Sequence, residues 1–145
     1  MRSCQVTSLA TARWIVLVFY LTGLAVYPLV GAFAAPKAPP VPPETLRLLG
    51  QVLLAAGVAD YLASLLVERA LLARAGNGNP QAVAARTAIV VGAFGESLAI
   101  LALVLALLGA GAWSVPLYGL CFLHGVHLAL RWPSYVTAAA GQDER

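Results

Sequence analysis

The chain has 145 residues, of which 61% are hydrophobic and only 10% are charged, and its formal net charge is +3. Soluble domains carry about 25% charged residues, so this composition excludes an ordinary soluble protein and predicts an integral membrane protein. The positive charge is not concentrated on a basic face with groove-reading or aromatic elements, so we expect no nucleic-acid partner.

Four apolar stretches are long enough to cross a bilayer, which takes about 20 residues at a rise of 1.5 Å each. They predict an all-α fold, in which a four-transmembrane-helix bundle forms a single integral membrane domain over residues 1–145. A proline-rich outer loop at 35–43 and a polar tail at 133–145 complete the chain. The expected helices cover about residues 14–34, 44–74, 80–109 and 115–132.

The start of the first predicted helix resembles a secretory signal, because Arg13 precedes an apolar run and Ala32-Phe33-Ala34 looks like a cleavage site. The apolar core of a signal peptide has about 7 to 15 residues, and the run here is about 20. We therefore interpret it as a membrane span. The prolines of residues 35–43 favour an extended, stiff connector between the first two helices.

Proline and glycine mark the remaining helix ends. Asn79 followed by Pro80 is a typical N-cap and first-turn pair, so a helix is predicted to start there. At the other end of that helix, residues 109–114 form a short turn rich in glycine and alanine. A connection this short makes the third and fourth helices antiparallel neighbours.

The distribution of cations predicts the orientation. Positive side chains concentrate in the N-terminal segment, the middle loop and the C-terminal end. The first loop contains Lys37 and Arg47, and the negative charge of Glu44 partly offsets them. By the positive-inside rule, the N and C termini and the middle loop are cytoplasmic. We expect a multi-pass protein of the cell (inner or plasma) membrane. The cations on the predicted cytoplasmic side are Arg2, Arg13, Arg69, Arg74, Arg86, Arg131 and Arg145.

Counted inward from Glu68, Thr87 and Arg131 at the cytoplasmic ends, four ionisable side chains lie at membrane depth: Glu96, Asp60, His124 and His127. Ionisable residues at membrane depth are costly and by default indicate function. A carboxyl group beside an imidazole can exchange a proton, so these four are the candidate proton- or ion-handling residues. The alternative is that they are only hydrogen-bonding groups that hold helices together. The predicted supporting residues are Ser64, Tyr61, Ser97 and Arg131.

The third predicted helix has a small-residue face. This face is expected to pack against protein, either against other membrane subunits or in self-association, and the bulky face is expected to meet lipid. The small-residue face consists of Ala88, Gly92, Gly95 and Ala99. The bulky face consists of Phe94, Leu98, Leu101, Leu105 and Leu108.

No cofactor or metal is predicted. His124 and His127 are three apart on one helix and face the same way, whereas a bis-histidine haem needs ligands from opposite sides, and the chain has no other histidine. CxxC, HExxH, GxSxG, GxGxxG and phosphate-loop motifs do not occur. The sequence leaves the question of catalysis open and favours a protein without intrinsic catalytic activity.

One stretch resembles a known family. Residues 71–108 contain a polar loop ending in Asn79-Pro80, then a Gly/Ala/Leu-rich helix that carries Glu96, and this arrangement resembles the proteolipid (c) subunit of rotary ATPases. The resemblance implies that Glu96 corresponds to the proton- or sodium-binding carboxylate of that family. The Gly-x-Gly-x-Gly repeat of that family does not occur in the second predicted helix.

Three functions are consistent with these patterns. The first is a proton- or cation-handling subunit of a larger membrane complex, which would depend on Glu96 and Asp60. The second is a non-catalytic accessory or assembly subunit, in which the carboxylates could be replaced. The third is a small-ligand or lipid-binding membrane protein, with a pocket between the second and fourth helices near Tyr61 and the histidines.

Overall fold

A computed structural model describes residues 8–34, 41–74 and 79–140 of the chain. These residues are helical almost throughout and contain no strand, and four of their helices are long and apolar enough to cross a membrane. The predicted outer loop lies outside the described residues at 35–40, as do the middle loop at 75–78 and the end of the predicted tail at 141–145. The first to fourth spans, in chain order, are Leu9–Ala34, Pro43–Ala73, Pro80–Leu107 and Gly111–Ala140.

The first span begins five residues earlier than predicted and is not a uniform helix. Ser8 caps it by accepting a hydrogen bond from the Thr11 backbone N–H at 3.1 Å. The α-helix Leu9–Leu21 is followed by a π-helical turn at Thr22–Val26 and a second α-helix at Tyr27–Ala34. Pro28 has no N–H to donate to the carbonyl four residues before it. A π-turn is one way in which a helix accommodates such a residue.

The third span lies at the centre of the bundle and contacts each of the other three. Asn79 caps it as predicted, accepting from the Ala82 N–H at 3.2 Å. Its small-residue face is buried against the first span: Ala88 and Ala99 are fully buried, and a Cβ at Gly92 would lie 2.9 Å from the Val16 side chain. Another copy of the chain could reach this face only by displacing the first span.

The expectation that the bulky face of the third span meets lipid is wrong for part of that face. Leu98 and Leu105 are fully buried, because the second and fourth spans pack on that side as well. A central helix is covered from several directions, so its large side chains are core residues here. The large side chains that the third span exposes are Val90, Ile100, Val104 and Leu107.

The turn between the third and fourth spans is as tight as predicted. Gly109 has a φ of 84°, a value that favours glycine, and Ala110 N–H donates to the Leu105 carbonyl at 2.8 Å. The fourth span begins at Gly111 and continues through Pro133 to Ala140, beyond the predicted end at residue 132.

Pro133 lies inside the fourth span, where a proline costs about 3 kcal/mol of helix stability. The turn that follows nevertheless remains helical, because Tyr135 on that turn is fully buried. Burying an aromatic ring of this size returns about 1.5–3 kcal/mol. The ring packs into a cluster that includes Ala12, Ala84 and Leu128. This cluster joins the ends of three spans.

Because the chain runs along the bundle four times, the first span starts at the end of the bundle where the fourth span finishes. We call this end the arginine end. The cluster around Tyr135 lies there and joins Ala12, Leu72 and Ala84 from the other spans. The described arginines that define this end by their positions along the spans are Arg13, Arg69, Arg74, Arg86 and Arg131.

Candidate functional site

Glu96 lies in the middle of the third span, roughly 24 Å along the helix from Pro80 at 1.5 Å per residue. Its Oε1 accepts a hydrogen bond from the hydroxyl of Tyr27 at 2.6 Å. Its Oε2 is buried and has no hydrogen-bond partner among the described residues. One carboxylate oxygen is therefore satisfied by the first span, and the other faces the interior unpaired.

The π-helical turn of the first span lies directly beside this carboxylate. A Cβ at Gly23 would lie 3.6 Å from Glu96 Oε2, 3.6 Å from Cys121 Sγ and 2.8 Å from Ala99. The oxygen and the sulfur are therefore no more than twice 3.6 Å apart. Only glycine allows the turn to approach the third span this closely.

His124 is the centre of a second polar group, nearer the arginine end. The imidazole is fully buried. Its Nδ1 is hydrogen-bonded to the hydroxyl of Tyr20, and its Nε2 lies 2.8 Å from the hydroxyl of Ser64. The ring of Tyr61 meets the imidazole edge-on at 5.5 Å between centroids. This group joins the first, second and fourth spans.

The hydrogen bonds of Ser64 assign the histidine tautomer. The Ser64 hydroxyl donates to the Tyr61 carbonyl at 2.7 Å, so its single proton is already used. It can then only accept from His124, which places a proton on Nε2. In the neutral imidazole this leaves Nδ1 to accept from Tyr20, so both ring nitrogens are engaged.

The tyrosine in this group sits in a slot formed by two glycines. A Cβ at Gly95 would lie 2.5 Å from the Tyr20 hydroxyl oxygen and 2.8 Å from its Cζ. On the other side, a Cβ at Gly125 would lie 3.0 Å from the ring. The two glycines therefore let the ring reach between the third and fourth spans to His124.

A third polar group lies at the arginine end. Glu68 is 2% exposed, and its carboxylate contacts His127 Nε2 at 3.0 Å and Arg131 Nε at 3.3 Å. The buried hydroxyl of Tyr135 lies near this carboxylate but outside hydrogen-bond geometry. A small cavity of about 230 Å³, also lined by Arg69, opens beside the ion pairs.

Asp60, on the second span, packs against a side of the third span different from the one that carries Glu96. Its Oδ2 accepts from the Ser97 hydroxyl, which also lies 2.8 Å from the carbonyl of Phe94. The carboxylate borders a shallow groove that Val90 also lines. Asp60 and Glu96 share no hydrogen bond, so the structure does not bring these two carboxylates together.

The remaining candidates therefore form a series along the fourth span. Counting from the arginine end, Arg131 and His127 contact Glu68, His124 contacts Ser64 and Tyr20, and Cys121 lies beside Glu96. From residue 131 to residue 121 the helix rises roughly 15 Å. The ionisable groups thus extend along the bundle axis rather than lying at one depth. No group of three or more His, Cys, Asp or Glu side chains among the described residues is placed to hold a metal ion.

The sequence alone assigned no role in these groups to Glu68, Tyr20, Tyr27 or Cys121. Glu68 was detectable, because it continues the stripe of Asp60 and Ser64 at intervals of four. The two tyrosines belong to an otherwise apolar span, and their hydroxyl partners are on other helices. No local pattern indicates such partners.

Replacing His124 by phenylalanine is expected to lower the free energy of unfolding by about 1–3 kcal/mol, because the buried Tyr20 hydroxyl loses its partner. Thermal unfolding of the detergent-purified protein measures this loss. Leu123→Phe is the matched control, since this neighbouring side chain on the same span is exposed. Equal destabilisation by both substitutions would contradict the role given to His124.

Comparison of the chain with protein-family models, with curated proteins and with solved structures finds no significant match. The site is therefore interpreted from its own geometry.

Proposed function

We propose that this protein binds and passes protons within a membrane, with Glu96 as the proton-binding carboxyl group. The observation that carries the proposal is the pair of oxygens of Glu96: one accepts from Tyr27 and the other is buried without a partner. An ionised carboxylate in that position would hold an uncompensated charge in a medium of low dielectric, which is strongly unfavourable. The neutral acid carries no such charge, and this arrangement supports Glu96 as the group that binds a proton.

The fourth span supplies groups through which a proton could reach Glu96. Cys121 lies beside Glu96, and the next polar group along the span joins His124 to two hydroxyls. An imidazole can accept a proton at one nitrogen and release one from the other, and a hydroxyl both donates and accepts. Glu68 and His127, beside the cavity at the arginine end, would be the entry groups in this scheme.

The proposal includes an orientation and a location. The five described arginines at one end of the bundle, with the positive-inside rule, support a cytoplasmic position for that end and for both termini at the cell membrane. Protons would then enter from the cytoplasm and reach Glu96 near the middle of the bilayer. The resemblance of residues 71–108 to the rotary c subunit supports the role of Glu96. We also propose that a larger membrane complex uses the proton that Glu96 binds.

Asp60 has a secondary place in this function. Its carboxylate is hydrogen-bonded to Ser97 and faces the shallow lateral groove beside Val90. We therefore assign it a helix-joining role between the second and third spans rather than a place in the proton path.

The experiment that tests the proposal is labelling with dicyclohexylcarbodiimide, an apolar reagent that adds a carboxylic acid across one of its C=N bonds. It reacts with neutral carboxyl groups within the membrane. We expect one label on Glu96, located by mass spectrometry of the digested protein, and no label at that peptide in Glu96→Gln.

Two other carboxylates are internal controls for this reaction. Glu68 is buried but paired with Arg131 and His127, which keeps it ionised and unreactive. Glu44 is exposed in the first turn of the second span. A label on Glu68 or Glu44 in place of Glu96, or no label at any pH at which the protein remains folded, would refute Glu96 as the proton-binding group.

A further inference from the structure

We propose that the groove between the first and fourth spans binds one anionic phospholipid, with Arg13 holding the phosphate and the apolar wall holding an acyl chain. The groove has a volume of about 350 Å³, and this site is separate from the buried carboxyl group of Glu96. Its lining runs from Arg13 and Trp132 near the arginine end to Tyr20 and Gly125 deeper in the bundle.

The groove exists because small residues face it from the fourth span. Gly125 and Ala129 lie on one wall, and Val16 and Leu17 lie on the other. Between Gly125 and Pro133 the helix rises roughly 12 Å, which is most of the hydrocarbon depth of one leaflet (half of about 30 Å). A single acyl chain lying along this wall would keep its head at the arginine end.

Arg13 gives the groove its charge. The Arg13 side chain lies at the shallow end and also borders a neighbouring depression of about 400 Å³ next to Trp14. Among the described residues, no carboxylate oxygen lies within 4.0 Å of a side-chain nitrogen of Arg13. The two ion pairs that occur among these residues both involve Glu68. An anionic headgroup would supply the missing negative charge.

Two further features of the shallow end fit a lipid headgroup. Trp132, half-buried beside Arg13, has the amphipathic ring that is typical of the membrane interface. Pro133 also lines the groove and adds an apolar ring to its wall at this end. A cation, an aromatic ring and an apolar wall in this order match a glycerophospholipid better than a protein helix.

Native mass spectrometry of the whole protein, released from detergent micelles with equal amounts of phosphatidylglycerol and phosphatidylcholine, tests this proposal. We expect one phosphatidylglycerol bound in preference to phosphatidylcholine. Arg13→Gln should weaken that binding by about fivefold, the effect of one cation near a membrane surface. Ala129→Phe should weaken it too, because the ring fills the groove, and Ala129 is exposed, so the fold should tolerate the change.

Arg86→Gln is the matched control, because Arg86 is an exposed arginine at the same end of the bundle but does not line the groove. It should bind as the wild type does. Equal losses in Arg13→Gln and Arg86→Gln, equal binding of the two lipids, or full binding by Ala129→Phe would each overturn the proposal.

Discussion

Glu96→Gln is expected to reduce proton flux through the reconstituted protein by about tenfold or more, while its thermal unfolding stays close to that of the wild type. Glutamine keeps the shape of the side chain and can still accept from Tyr27, but it has no proton to exchange. The loss should therefore appear in transport and not in folding. Flux is measured in liposomes that contain a pH-sensitive dye, after a potassium diffusion potential is imposed.

Two variants make this measurement specific. Glu44→Gln removes an exposed carboxylate at the other end of the second span and should leave the flux unchanged. Tyr27→Phe removes the hydroxyl that donates to Glu96 but leaves its carboxyl group, so it should change the flux less than Glu96→Gln does. If Glu96→Gln and wild-type protein carry protons equally well, the accessory-subunit interpretation replaces the proposed function.

Gly95→Val is expected to lower the free energy of unfolding by about 1–3 kcal/mol, the usual cost of overpacking a closed core. A Cβ at Gly95 would lie 2.5 Å from the Tyr20 hydroxyl oxygen, and Gly125 closes the slot from the other side, so the ring cannot shift without losing His124. Chemical or thermal unfolding in detergent measures the change.

Gly119→Ala is the matched control, because a Cβ at this helical glycine would meet nothing within 4 Å. Its effect should be neutral or slightly stabilising, as alanine favours helix more than glycine does. In a Tyr20→Leu background the cost of Gly95→Val should decrease, which a double-mutant cycle detects. An unchanged cost in that background would show that Tyr20 is not the side chain that is displaced.

Much of the architecture could be predicted because hydrophobic length and helix punctuation are local properties. Asn79 with Pro80 and the glycine-rich turn at residue 109 gave the ends of the third span directly. The fourth span continues through Pro133 because Tyr135 is buried, and that burial depends on other helices. A helix end that depends on tertiary packing is not visible in the local pattern.

The polar site could be predicted only in part, for the same reason. Glu96 stood out because a carboxylate inside an apolar run is rare, but its partner Tyr27 comes from another span. Asp60 was expected to handle ions together with Glu96, yet Asp60 contacts Ser97. Ser97 is the next position along the third span after Glu96 and therefore points to a different side. Which faces meet depends on helix rotation, and periodicity alone does not determine rotation.

The widened turn at Thr22–Val26 divides the first span into two halves that hold different tyrosines. Tyr20 precedes the turn and is hydrogen-bonded to His124. Tyr27 follows the turn and donates a hydrogen bond to Glu96. A π-turn is a weak point at which a helix can bend. The two halves of one span therefore each supply a phenol to a different polar group, so loss of either tyrosine should leave the other hydrogen bond in place.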